Sequence, residues 1–403
     1  MIPRQRINDR TVFASVVFVV LLAQVLLYPG IDRLVESLGA ETRLNASMWF
    51  LVAEFAAFVV FAAPWGAASD AAGRRVPFIV VGSVGGAVSY VLIGVVPSNL
   101  DVSFAAILGL RLLQGAFTIG AFSLAMTTLM DLEGGHGRNM GAVGVAVGLG
   151  TGLGAPLGGQ LYEVGTLVPL YTAAGLLVVA GGSTVLVEDT QDSGSEDDGD
   201  EGDDDGMREI LKSLHETPSL GIPYVFGFLD RMTAGFFALV GTLYFRTVFG
   251  LSPLETGLTL GLFFFPFAVL QYPFGVVSDR IGRVIPVVLG SLLYGVAVIG
   301  VGAAPTVKSS QATLVVVGIL GALMTPATMA LVTDLADETR RGVAMAGFNI
   351  AGSIGFVTGI LVGGTVADEY GYLEAFVVAG GFEVIVAIVA VVPLLRLDIP
   401  SPS

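Results

Sequence analysis

Five ionisable side chains stand inside stretches that are otherwise apolar: Glu54, Arg111, Asp230, Arg231 and Glu383. Brought unpaired to the middle of a bilayer, each costs about 2.5–3.5 kcal/mol on insertion scales, so each is expected to meet a partner or a polar cavity. Arg111 is followed by Gln114 and Gly115 in the run RLLQGA, and Glu54 is its natural counter-charge in the same half of the chain. Burial and a nearby guanidinium pull the proton affinity of a carboxyl in opposite directions. A Glu54 that alternately touches and leaves Arg111 therefore binds and releases a proton, which is coupling chemistry without ATP. Asp230 and Arg231 are neighbours, about 100° apart around a helix. They cannot both face one point, so one is expected to serve a substrate or coupling ion and the other an adjacent helix.

A second set of charges lies between apolar stretches. PWGAASDAAGRRVP, residues 64–77, has its Pro, Gly, Ser, Asp, Gly, Arg and Pro repeated in PFGVVSDRIGRVIP, residues 273–286, at a constant offset of 209 positions. Weaker echoes join LEGGHGRNMGAVG to DETRRGVAMAGFN, and LGG at 157–159 to VGG at 362–364. The chain is a duplication, the parallel repeat that in transporters places a site between two halves.

The elements that must hold these residues follow from composition. Of 403 residues, 54% are hydrophobic and 13% charged, too apolar for an ordinary soluble domain. Twelve stretches are long enough to cross a hydrocarbon core about 30 Å thick: 11–29, 46–66, 76–96, 103–128, 138–161 and 166–187 in the first half, then 220–243, 255–275, 284–304, 312–332, 342–366 and 373–395. Lipid-exposed backbone must satisfy its own hydrogen bonds, and the alternation of a membrane β-barrel is absent, so these are predicted helices. The expected fold class is an all-α membrane protein with twelve transmembrane helices in two pseudo-symmetric six-helix bundles. The expected boundaries are 1–187 and 219–396 for the bundles, 188–218 for a linker ending in a short amphipathic helix, and 397–403 for a tail.

Basic residues set the orientation. Arg4, Arg6, Arg10, Arg74, Arg75, Arg138, Arg208, Lys212, Arg280, Arg283, Arg340, Arg341 and Arg396 share one side, against Arg33, Arg43, Arg246 and Lys308 on the other. Both termini are thus expected in the cytoplasm and the protein in the plasma membrane. The first span follows three arginines but lacks a small-x-small cleavage site, and is expected to be retained. The net charge of −15 is concentrated in residues 188–209, where twelve acids meet one arginine; this tract reads as a solvated linker. Its acid excess, with only two lysines in the chain, suits a cytoplasm at high salt. The helix-like MREILKSLHE has Ile210, Leu211 and Leu214 on one side and is expected to lie on the membrane surface.

There is no cysteine, and His136 and His215 are isolated, so no metal set and no cofactor is expected. Neither lysine follows a glycine as a phosphate loop requires, and the G-x-G-x-x-A at Gly150, Gly152 and Ala155 follows no strand, which removes a dinucleotide site.

On these residues the chain resembles a twelve-helix transporter of the major facilitator superfamily, of the kind that exchanges drugs for protons. The family's G-x-x-x-D-x-x-G-R signature is matched by Gly66, Asp70, Gly73 and Arg74, and again by Gly275, Asp279, Gly282 and Arg283. The resemblance implies that these Asp and Arg residues clamp a cytoplasmic gate with an acid at the end of the fourth and tenth spans, here Asp131 and Asp334. Arg111 and Gly115 match the family's fourth-span R-x-x-x-G, whose Arg is implicated in proton transfer. Glu383 falls on the twelfth span, a scaffold helix in the family, which implies a structural role.

Span 5 carries Gly144, Gly148 and Gly152 on one ridge and Gly150, Gly154 and Gly158 on another, and span 11 carries Gly347, Ala351, Gly355, Gly359 and Gly363. Small residues at four-residue intervals let helix backbones approach closely. Gly154, Pro156, Gly158 and Gly159 also resemble an exporter signature of the superfamily, G-P-x-x-G-G, with Pro156 one position late. Phe55, Phe58, Phe61, Phe236, Phe237, Phe263, Phe264, Phe265 and Phe267 are expected against lipid, or, where inward, against an apolar substrate. The expected function is proton-coupled export of a small hydrophobic compound by alternating access, with uptake of a sugar, organic acid or other nutrient as the alternative on the same fold. A membrane-embedded transferase would need clustered carboxylates for metal near the surface, and a transporter-shaped receptor would bind without accumulating. The expected partners are a small-molecule substrate, protons and the lipid bilayer, with no nucleic acid, and a monomer is expected.

Overall fold

The computed structural model describes residues 9–132, 136–187, 203–337 and 340–397, and these are helical almost throughout. Among the described residues twelve apolar helices follow one another: α1 Asp9–Ser37, α2 Arg43–Ala72, α3 Val76–Asn99, α4 Phe104–Asp131, α5 His136–Val164, α6 Val168–Thr184, α7 Pro218–Thr247, α8 Pro253–Ile281, α9 Val284–Ala303, α10 Val307–Leu335, α11 Arg341–Glu369 and α12 Tyr372–Leu395. Eleven are long and apolar enough to cross a membrane; α6, at 17 residues, is the shorter one and stands at the lower limit for a span.

Several helices outrun the sequence reading. Helix α1 passes through a tight turn at Tyr28–Gly30 and continues to Ser37, so Asp32 and Arg33 are helical. Most of both signature copies lies in helix too: α2 runs to Ala72 and α8 to Ile281, leaving Gly73–Arg75 and Gly282–Arg283 as the turns. Those two glycines have φ of +61° and +87°, left-handed values that a Cβ disfavours. At Gly73 the amide donates to the Asp70 carbonyl and that of Arg74 to Ser69, closing the helix end.

The chain forms two compact units, Met1–Asp203 with Ser252–Leu258, and Asp204–Leu251 with Thr259–Ser403. In the first unit α1 packs on α5 and α6, and α3 packs on α4 and α6; in the second, α7 packs on α11 and α12, and α9 packs on α10 and α12. The pairings match helix for helix, as the duplication requires.

The acidic tract between 188 and 202 lies outside the described residues. The short helix Asp203–Glu216 belongs to the second unit. Ser213 is buried, Leu214 packs beside a core of Leu220, Tyr224, Val332, Ala336, Ala344 and Phe348, and Glu216 pairs with Arg340. Leu211 is exposed, so the apolar residues of this helix divide between the protein and an outward face. Leu214→Ser should therefore speed amide exchange across 208–216 while leaving α9 and α12 protected; equal speeding everywhere would show that the helix is not a local unit.

Candidate functional site

A buried polar cluster in the first unit is built by α2 and α4. Arg111 and Glu54 are completely buried, with Arg111 Nη2 donating to Glu54 Oε2 at 2.5 Å. Arg111 Nη1 donates to Gln114 Oε1 at 2.6 Å, and Gln114 Nε2 donates to Glu54 Oε1 at 3.3 Å and to Thr118 Oγ1 at 3.0 Å. The guanidinium carbon lies 4.5 Å from the centre of the Phe50 ring and 5.7 Å from that of Tyr90, close enough for cation–π attraction.

The local sequence explains the convergence. Positions 111, 114 and 118 fall on one face of α4, and Gly115 lets that face touch α2, because a Cβ there would meet the Glu54 carbonyl and Ala57. The pair is thus locked by backbone contact as well as by charge. Arg111 Nε is buried without a hydrogen-bond partner.

In the second unit Asp230 and Arg231 diverge as adjacent helical residues must. Asp230 Oδ1 accepts from Thr325 Oγ1 of α10 at 3.3 Å, while Arg231 is exposed, with its stem against Gly352 of α11. Among the described residues no salt bridge joins Asp230 to a cation as Arg111 is joined to Glu54. Of the aromatic set, Phe236, Phe237 and Phe263 are core residues, with Phe237 and Phe263 stacked at 5.9 Å, while Phe265 is exposed.

The signature charges form two clusters. Arg283 donates to Asp334 Oδ2 at 3.0 Å and to Asp279 Oδ1 at 2.5 Å, and also reaches Ser278. Burial alone would lower its proton affinity, but hydrogen bonds and charge from Asp279 and Asp334 prevail and hold the guanidinium above its ordinary value. In the first unit Arg75 donates to Asp131 Oδ2 at 2.5 Å, one place beyond the signature Arg74, which also makes an interaction of its own, and Asp70 is exposed. The extra arginine of GRRVP thus takes the role that Arg283 fills in the other copy. Gly66 and Gly275 have space around them.

The two ridges of span 5 separate cleanly. Gly150, Gly154 and Gly158 press on α1 at Phe18, Val25 and Leu26, whereas Gly144 and Gly152 face open space. Pro156 lies within the helix, and Gly159 meets Pro253 and Leu254 of the same unit. In α11, Gly347, Gly355, Gly359 and Gly363 press on α7 in the same way.

Thr118, Phe50 and Tyr90 around Arg111, and Thr325 beside Asp230, were not singled out in the sequence. Thr118 was legible, since it lies seven residues beyond Arg111 on the same helical face. The others come from separate helices and carry no local signal.

The comparison with known proteins rests on more than this geometry. A family model described as Major Facilitator Superfamily matches residues 13–240 and 224–403. The chain belongs to the Major Facilitator Superfamily. As a member it is a multi-pass membrane protein. An uncharacterized MFS-type transporter of Methanocaldococcus jannaschii is 33% identical over 167 residues, which is 41% of this chain and 43% of that protein. The multidrug resistance protein MdtG of Serratia proteamaculans is 30% identical over 118 residues, 29% of this chain and 28% of its own. These matches span well under half the length of the curated relatives. The solved structure of the nucleoside transporter NupG has the same fold, with a TM-score of 0.76 at 13% identity over 97% of this chain and 100% of that one.

Proposed function

We propose that this member of the superfamily exports a small hydrophobic compound in exchange for protons by alternating access, with both termini on the cytoplasmic side. The observation that carries the coupling is the isolated Glu54–Arg111 pair with Gln114 and Thr118. A carboxylate whose charge partner is a single buried guanidinium changes its proton affinity sharply when that contact opens. The preference for export rests on the span-5 signature and on the similarity to MdtG, which is named as a multidrug resistance protein. The thirteen-to-four excess of basic residues supports the orientation.

The test is a substrate screen in cells stripped of their own pumps, followed by transport in vesicles with and without an imposed proton gradient. Gradient-driven extrusion by the parent supports the reading; accumulation in the direction of uptake, or indifference to the gradient, ends it.

The ion clusters at 75/131 and 279/283/334 act in this reading as the gate. Asp279 is largely exposed, so each cluster contributes only about 0–1 kcal/mol, enough to change a two-state ratio by up to about fivefold. Asp334→Asn should shift accessibility labelling between the two states by no more than that factor, and Arg75→Ala should do so more than Arg74→Ala. Equal effects of the two arginine variants would remove Arg75 from the gate.

A further inference from the structure

Beside the Glu54–Arg111 pair a further acid of the second unit is buried without a task. Glu383 of α12 is fully buried, and its Oε1 accepts from Ser291 Oγ of α9. Its Oε2 has no hydrogen-bond partner. The two helices touch backbone to backbone beside it: a Cβ on Gly295 would meet the Gly380 carbonyl and the Glu383 Cβ, and one on Gly380 would meet the Gly295 carbonyl.

The groups that face Glu383 are few. From α7 the charged one is Asp230, and from α9 the titratable one is Tyr294, which is within electrostatic reach of both acids. The buried residues of α11 include no titratable side chain. Among the described residues an ionised Glu383 would have one donor, no cation and a like charge nearby. Burying such a charge costs several kcal/mol, and an acid in that position takes up a proton instead. A leucine or methionine would fill the same space without this cost. No three His, Asp or Glu side chains gather among the described residues as metal ligation would need, which leaves the proton as the fitting ligand.

We propose that Glu383 is a second proton-binding site, in the unit opposite to Glu54, loaded while Asp230 is charged and released when a cation or a proton neutralises Asp230. On release the O–H bond at Oε2 breaks heterolytically, the electron pair stays on the carboxylate, and the proton leaves to water. Ser291 then stabilises the anion by donation. The use of this proton in transport rests on the proton-coupled reading above, whereas its presence does not.

The test is infrared spectroscopy of the full chain in lipid vesicles over a pH series, with no gradient imposed. At neutral pH the parent should show the carbonyl stretch of a protonated carboxyl, and the difference spectrum against Glu383→Gln should contain it. Asp230→Asn, which keeps Glu383 intact, should move the loss of that component to lower pH, because the like charge is gone. Ser291→Ala should move it to higher pH, because a donor to the anion is gone. A parent and Glu383→Gln with identical spectra, or a component whose titration ignores Asp230→Asn, would overturn the proposal. Transport indifferent to a proton gradient, with these spectral shifts present, would instead count against the proton-coupled function alone.

Discussion

Arg111→Ala is expected to lower stability by about 3–5 kcal/mol, the usual cost of removing one partner from a buried ion pair, and to abolish gradient-driven transport. The reason is the completeness of the burial: Glu54 and Arg111 have essentially no exposure, so water cannot replace the lost guanidinium. Glu54 would keep only the 3.3 Å contact from Gln114. Glu54→Gln preserves the shape and leaves Arg111 its contacts with Gln114 and the Phe50 ring, so it should cost less stability while removing the dependence of transport on pH. The double variant decides the matter. Removing both charges of a buried pair is often near neutral, so Glu54→Gln with Arg111→Ala should be more stable than Arg111→Ala alone. Thermal unfolding of the three variants in one detergent gives the cycle. Strict additivity of the two losses would mean that the pair does not interact as its geometry says.

Much of this arrangement was written in residue types and spacing. Twelve apolar stretches and two copies of one signature in matching halves, with a lone acid and base in the first, were enough to name the fold, because lipid permits so few backbone solutions. The partner of Arg111 followed from the cost of leaving it unpaired. What sequence did not carry was tertiary. Nothing in GRRVP says which arginine turns toward Asp131, since the choice depends on how Gly73 ends α2 and where α4 stops. The Ser291–Glu383 contact joins residues 92 positions apart and has no motif. The short helix at Asp203–Glu216 shows an amphipathic pattern, yet a pattern of that kind fits a membrane surface and a protein groove equally well. That Leu214 packs beside the cluster of Leu220, Tyr224 and Phe348 has no local signal in the sequence.

The two glycine ridges of α5 should respond to the same substitution with opposite signs. Gly152 faces open space, and alanine is a better helix former than glycine by about 0.8–1.0 kcal/mol, so Gly152→Ala should be neutral or stabilising. At Gly158 the added methyl would run into the main-chain carbonyl of Leu26, and at Gly359 into that of Met232. A backbone atom cannot rotate aside as a side chain does, so α5 must move off α1, or α11 off α7. That overpacking costs about 1–3 kcal/mol for one methyl, and more for the valine that follows it in size. The order Gly152→Ala above parent or equal to it, then Gly158→Ala, then Gly158→Val should appear in thermal unfolding and in yield from the membrane. The matched series at Gly359 should follow it, since the α7–α11 contact repeats the α1–α5 contact. If Gly158→Ala were as benign as Gly152→Ala, these helices would not pack through their glycines, and the periodicity of small residues in spans 5 and 11 would need another cause.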